Sequence, residues 1–309
     1  MAAEATATDG TGGRLPAIGF LMLASLGLFW GLNWPGMKIA LNELPVWWFR
    51  VISVTAGGLG LLAVSAVMRL RVLPTRAELV PLLTCTVFAI IGWHVMTGYG
   101  VSLMPAGRAS IIAFTMPVWA ALFASWILGE AITGLKIFGL ALGMAGLGVL
   151  IGPDLLALGA APDGAAFMLC AAISWAFGTV LFKRFSWTSP IASLIGWQLM
   201  LGAIPITIGA LILEPVPNFS ALSDKVWWAL AYLIALPMIY CQWAYFYVVK
   251  IFPAAIAAIG TLAVPIVGTF FSAWLLGETV GWAEILALLL ISAALFVVLV
   301  LPGVMSPRR

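Results

Sequence analysis

Charge is what this sequence has least of: fourteen Lys and Arg and eleven Asp and Glu among 309 residues, 8% of the chain. Soluble domains carry about a quarter charged residues and need them to cover their surface, so a soluble fold of this size is excluded. A nucleic-acid binder, a secreted disulfide scaffold and a large soluble catalytic domain go with it. Histidine occurs once, at His94, and cysteine three times, at Cys85, Cys170 and Cys241. Each thiol lies inside an apolar run, where it reads as a small buried hydrophobe rather than half of a disulfide. No Gly-x-x-x-x-Gly-Lys-Ser/Thr phosphate loop occurs, so ATP-driven pumping by this chain alone is excluded. All eleven acids map to tails, loops or helix ends, and no carboxylate is left for cation/proton exchange at mid-membrane.

What is present is apolar length, 64% hydrophobic residues with a mean hydropathy of +1.16. A spanning helix takes roughly 20 apolar residues. Runs between Pro, Gly and charge punctuation predict an all-α, polytopic membrane protein with helices at 16–42, 45–69, 77–102, 105–128, 133–152, 163–185, 190–213, 225–250, 253–276 and 280–301. Short linkers make consecutive helices antiparallel neighbours. The polar start of the chain, residues 1–14, lacks the basic region of a signal peptide and is expected to be a disordered cytoplasmic tail, and 303–309 is expected to be a cytoplasmic tail. With the N-terminus inside, Arg14, Arg69, Arg71, Arg76, Lys136, Lys183, Arg184, Lys250, Arg308 and Arg309 fall on the inner side. Lys38, Arg50, Arg108 and Lys225 fall on the outer side, a bias that places both termini in the cytoplasm.

The chain also repeats itself. Pro105, Pro117, Trp126, Gly129 and Glu130 recur as Pro253, Pro265, Trp274, Gly277 and Glu278, each 148 positions later. Trp30 and Lys38 recur as Trp175 and Lys183 at an offset of 145. The halves are 15–154 and 155–302. Five helices in each force the second copy to lie upside down relative to the first, the inverted-repeat plan of secondary transporters with substrate near the midplane. Two such halves that exchange conformations would open first to one side and then to the other.

Phe29-Trp30-Gly31-Leu32-Asn33-Trp34, Pro117 ahead of Leu128-Gly129-Glu130, and Pro265 ahead of Leu276-Gly277-Glu278 resemble the drug/metabolite transporter superfamily. The resemblance covers nearly the whole chain and is to the two-repeat branch of inner-membrane metabolite exporters, the bacterial aromatic amino-acid exporters among them. It implies eight helices around a central cavity, with the fifth and tenth at the periphery, and outward movement of amino acids or related metabolites.

Within the spans few residues can carry chemistry. His94 could hold a substrate carboxylate or relay a proton, or could be a neutral core imidazole. At the 148 offset His94 matches Gln242 and Tyr99 matches Tyr247, and aromatic groups with polar tips suit an amphipathic solute. On an ideal helix His94 and Tyr99 diverge by about 140°, so both cannot face inward. Trp30, Trp175 and Trp243 sit deep, whereas Trp47, Trp48, Trp227, Trp228 and Trp282 lie beside helix ends as an aromatic belt. Asn33 and Gln198 are intramembrane amides that could contact substrate or join helices. Arg50 and Arg108 could snorkel to headgroups, or form a cationic vestibule that attracts a carboxylate or pairs with an outer acid to gate the cavity. Lys38 and Lys183 read as interface anchors. Pro117 and Pro265 are candidate hinges, and Gly139, Gly143, Gly146 and Gly148 a close-packing face.

The expected substrate-binding set is therefore Trp30, Asn33, His94, Tyr99, Trp175, Gln198, Gln242 and Trp243, with Pro117, Pro265, Arg50 and Arg108 for gating. Neither metal nor cofactor is implied. The expected partners are a small-molecule substrate and the lipid bilayer, with no nucleic acid, the chain acting as a monomer. The reading is a bacterial inner-membrane exporter of aromatic or hydrophobic amino acids. The alternative is an exporter of hydrophobic drugs or another small metabolite; an intramembrane enzyme is disfavoured for want of a nucleophile-base or metal constellation.

Overall fold

The computed structural model describes residues 17–130, 133–156, 163–245, 254–297 and 301, and among them there is helix and turn but no strand. The helices are α1 (Ala17–Leu41), α2 (Val46–Val67), α3 (Arg76–Leu103), α4 (Ala106–Leu128), α5 (Gly134–Leu156), α6 (Asp163–Arg184), α7 (Ile191–Leu213), α8 (Asp224–Tyr245), α9 (Ala254–Leu276) and α10 (Trp282–Leu295). Of these, α2, α3, α4, α6, α7 and α8 are long and apolar enough to cross a membrane, and α5, α9 and α10 contain shorter apolar stretches. The chain is a multi-pass membrane protein. Both tails, Tyr247 and Pro253 lie outside the described residues.

The start and stop signals act as the chemistry of Pro and Gly requires. Pro45, Pro105 and Pro190 stand at the N-caps of α2, α4 and α7, where the missing N–H is not needed. Gly129 and Gly277 end α4 and α9 in the left-handed region, both at φ 69. The Leu-Gly-Glu pairs are therefore helix stops, the glycine taking a conformation that a Cβ penalises and turning the following glutamate off the helix axis.

Packing pairs α2 with α7, α1 with α9, α4 with α6, α5 with α10, α3 with α6 and α8 with α1. Small residues allow the close approach, since between apolar helices in lipid it is packing rather than water exclusion that favours association. A Cβ on Gly58 of α2 would come within 3.0 Å of Met200 Sδ, and one on Gly196 of α7 within 2.8 Å of Leu62 Cδ2. On α5, Gly143 meets Val118 of α4 and Gly146 meets Ile291 of α10, whereas Gly148 faces open space. The small-residue face expected on α5 therefore excludes Gly148, which lies about 200° around the helix from Gly146. Ala287, Ile291 and Ala294 of α10 are buried, and Ile285, Leu289 and Phe296 point outward, as lipid-facing side chains should.

Candidate functional site

The middle of α3 and the middle of α8 share a departure from α-helical geometry. Residues Val87–Gly92 and Ile234–Tyr240 form π-helical turns at matching places in the two halves. A π turn inserts a residue and re-aims the side chains beyond it, and such turns recur at functional sites. His94 and Gln242, repeat mates, each follow two residues after. The repeat marks the positions, but no composition signal announced the π turns; Pro237 lies in one and no proline lies in the other.

Two aromatic clusters flank these turns. On the α1/α8 side, Trp30 packs on Tyr245 with ring centroids 5.5 Å apart, Phe29 on Tyr240 at 5.7 Å, and Tyr240 on Trp243 at 6.4 Å. Ser25 Oγ and Tyr240 Oη lie 2.8 Å apart. On the α3/α6 side, Trp175 packs on Trp93 at 5.0 Å. Trp30 and Trp243 thus belong to one cluster and Trp175 to the other, each built from helices of both halves. Tyr99 stands apart from the α1/α8 cluster. Its ring stacks on Phe167 at 5.1 Å and its hydroxyl accepts from Trp47 Nε1 at 2.8 Å. Trp47 is therefore half-buried, its indole N–H held by Tyr99 rather than left to solvent or headgroups. Trp228 and Trp282 are largely exposed, as belt residues would be. So are Trp126 and Trp274 of the repeated motif.

Buried polar side chains on these and neighbouring helices are left with unused hydrogen-bonding capacity. His94, 7% exposed, has no partner at Nδ1 among the described residues, and Gln198, 4% exposed, has none at Nε2. Asn33 and Gln242 are half-buried. Arg50 does not snorkel: it is 3% exposed, lying across α3, where Nη2 donates to Thr97 Oγ1 at 2.7 Å and more weakly to Met37 Sδ at 3.4 Å. Its carbon Cζ lies 4.7 Å from the centre of the Phe49 ring. Thr97 completes the arrangement by donating to Trp93 O at 2.7 Å, which orients its lone pairs toward the guanidinium. Thr97, Met37 and Trp93 were missed as candidates, since a threonine on a helix signals nothing until its neighbour across the bundle is known.

Several of the described acids and cations hold helix ends together. Glu278 accepts from the backbone N–H of Ala106 at 2.6 Å and of Gly107 at 2.9 Å, capping α4 from α9. Lys38 donates to the carbonyls of Val101, Ser102 and Met104 at 2.8, 2.9 and 3.1 Å, capping the end of α3. It is therefore no interface anchor; the unsatisfied carbonyls at a helix C-terminus draw it inward. Its mate Lys183 instead makes an exposed ion pair with Glu130 at 2.8 Å. Glu78, at the start of α3, accepts from the N–H groups of Thr188 and Ser189 and joins α3 to the turn before α7. Glu43 accepts from the Ser223 hydroxyl and backbone N–H at 2.6 and 2.8 Å, and these bonds hold its carboxyl below the usual carboxylate range. Arg108 pairs with Glu284 of α10 at 3.0 Å and donates to Leu150 O of α5 at 2.8 Å, away from the aromatic clusters. The two prolines also differ. Next to Pro117, α4 is broken at Phe114–Thr115, whereas Pro265 is carried inside a continuous α9.

A helical membrane protein with rings, amides and one buried cation among its helices agrees with what known proteins show. The family model described as "EamA: EamA-like transporter family" matches residues 17–152 and again 163–300. A Bacillus subtilis (strain 168) protein named "Uncharacterized transporter YvbV" is 30% identical over 285 residues, covering 90% of this chain and 90% of its own length. A Salmonella typhimurium protein named "Probable amino-acid metabolite efflux pump" is 26% identical over 90% of this chain and 93% of its own length. The fold is shared with a solved structure described as "Crystal structure of protein", at 19% identity and a TM-score of 0.66 over 92% of this chain and 99% of that one. The chain belongs to the EamA-like transporter family.

Proposed function

We propose that this protein is a secondary transporter that exports small amphipathic metabolites, foremost amino acids with aromatic or hydrophobic side chains, across the bacterial inner membrane by alternating access. In this reading all ten helices span, 15–154 and 155–302 are inverted halves, and both termini are cytoplasmic. The observation that carries it is the pairing of ring clusters with uncharged polar groups at matched places: Trp30 with Tyr245 on α1/α8, Trp175 with Trp93 on α3/α6, and His94 and Gln242 just beyond the two π turns. Rings hold an apolar side chain and polar tips orient a zwitterionic end. The inverted arrangement is supported by the packing, in which α1 with α9 has its counterpart in α6 with α4, and α3 with α6 in α8 with α1. Amino-acid export is supported by the name of the Salmonella relative, a probable amino-acid metabolite efflux pump.

Trp30, Asn33, His94, Trp175, Gln198, Gln242 and Trp243 contact the substrate in this reading, Tyr99 positions the Trp47 side of the cavity, and the α4 break beside Pro117 is the hinge. The protein has no enzymatic role and acts as a monomer. Purified protein in liposomes is expected to exchange labelled phenylalanine against unlabelled amino acids without ATP. Absence of flux for every amino acid, with flux of a hydrophobic drug or a sugar phosphate instead, would overturn the reading.

A further inference from the structure

Arg50 is the one described cation that the bundle buries without giving it an acid. It is 3% exposed and its Nε has no partner. The contacts of Nη2 are a neutral hydroxyl and a thioether. The ion pairs of Arg108 with Glu284 and of Lys183 with Glu130 lie elsewhere. Burying a cation costs several kcal/mol unless an anion or a full set of hydrogen bonds offsets it. A guanidinium has five donors in a planar fork, and one hydroxyl and one sulfur leave that fork largely unused. The same stretch holds a second unsatisfied nitrogen, His94 Nδ1, three residues from Thr97 on α3. A Cβ on Gly98 would stand 2.5 Å from Val46 Cγ1, so the glycine lets α2 and α3 approach closely beside Arg50, whose Nε lies in ordinary contact at 3.4 Å from that position. Met37, whose sulfur rests on Nη2, is a weak acceptor on a flexible stem and is readily displaced.

We propose that Arg50, with Thr97 and His94 beside it, is the binding subsite for a single carboxylate on the transported solute, the substrate's anion supplying the counter-charge that the protein omits. Met37 gives way, and the freed guanidinium edge receives the carboxylate while Thr97 holds the other edge in place. The second half offers no such charge. The repeat mate of Arg50 is Gln198 and that of His94 is Gln242, both neutral, so the two halves are unequal and the carboxylate end binds the first half. This deepens the amino-acid reading above and rests on it for the identity of the solute, but not for the anion.

The test is equilibrium binding to the full-length protein in detergent, with three ligands that share one ring: phenylalanine, phenylalaninamide and 3-phenylpropionate. The two carboxylates are expected to bind more tightly than the amide, by on the order of 10- to 100-fold, the range for one charge-assisted hydrogen-bonded contact. Arg50→Met is expected to erase that preference while leaving thermal stability unchanged or raised, since an apolar side chain replaces an uncompensated buried charge. A residue retained for structure would give the reverse, a less stable protein with its preference intact, and that result overturns the proposal. Should Arg50→Met not fold, Arg50→Lys keeps the charge and loses the fork; an undiminished preference in that variant is equally a refutation. Wild-type protein that binds 3-phenylpropionate but neither amino-acid derivative would refute the amino-acid reading and sustain the carboxylate subsite. Wild-type protein that binds no carboxylate better than the amide refutes the subsite.

Discussion

Lys38 and Lys183 occupy the same position in the two halves, yet their surroundings predict opposite responses to the same substitution. Lys38 Nζ donates to three backbone carbonyls at 2.8 to 3.1 Å at the C-terminal end of α3, where no further N–H follows to satisfy them. Hydrogen bonds to a charged group contribute about 1.5–3 kcal/mol each when measured singly, but the three share one ammonium and its desolvation. A cation at a helix C-terminus contributes up to about 2 kcal/mol on its own. Lys38→Met, which keeps the stem and removes the donors, is therefore expected to cost about 2–4 kcal/mol. The Lys183 ammonium makes one ion pair with Glu130 across a side chain that is 68% exposed, a contact worth about 0–1 kcal/mol. At about 2 °C per kcal/mol for a chain of this length, Lys38→Met should lower the unfolding temperature in detergent by about 4–8 °C, and Lys183→Met by about 2 °C or less. Tryptophan fluorescence follows both. Equal shifts, or a larger one for Lys183→Met, would refute the assignment of Lys38 as a cap.

Gly143→Leu should destabilise the protein, because its Cβ would already stand 2.9 Å from Val118 Cγ2, whereas Gly148→Leu should be tolerated in open space; the same thermal assay on both variants separates them. The Glu43 carboxyl is stabilised in its ionised form by Ser223, so its contribution is present above the ordinary carboxylate range and is lost as pH falls through its lowered value. Glu43→Gln should accordingly unfold at a lower temperature than wild type at neutral pH, with the difference closing as acid protonates the native glutamate; a gap independent of pH would refute it.

The amino-acid sequence by itself determined the solvent, the helices and the duplication. Eight per cent charge and 64% hydrophobic residues leave only lipid as a surrounding, and Pro and Gly mark helix ends through local backbone geometry, which is why Pro45, Pro105 and Pro190 and the two Leu-Gly-Glu stops could be read in place. What a repeat cannot carry is the partner of each side chain, because partners come from residues distant in sequence. Lys38 and Lys183 are the same letter, and only the packing of α1 beside the end of α3 made one a half-buried cap while the other stayed at the surface. Pro117 and Pro265 are the same letter, and only one adjoins a broken helix. Arg50 could be placed near a helix end from its position, but its burial against Thr97 required α2 and α3 to cross at Gly98, forty-eight residues on. Local propensity is written residue by residue; the environment that turns a lysine into a cap or an arginine into a binding group exists only when the helices meet.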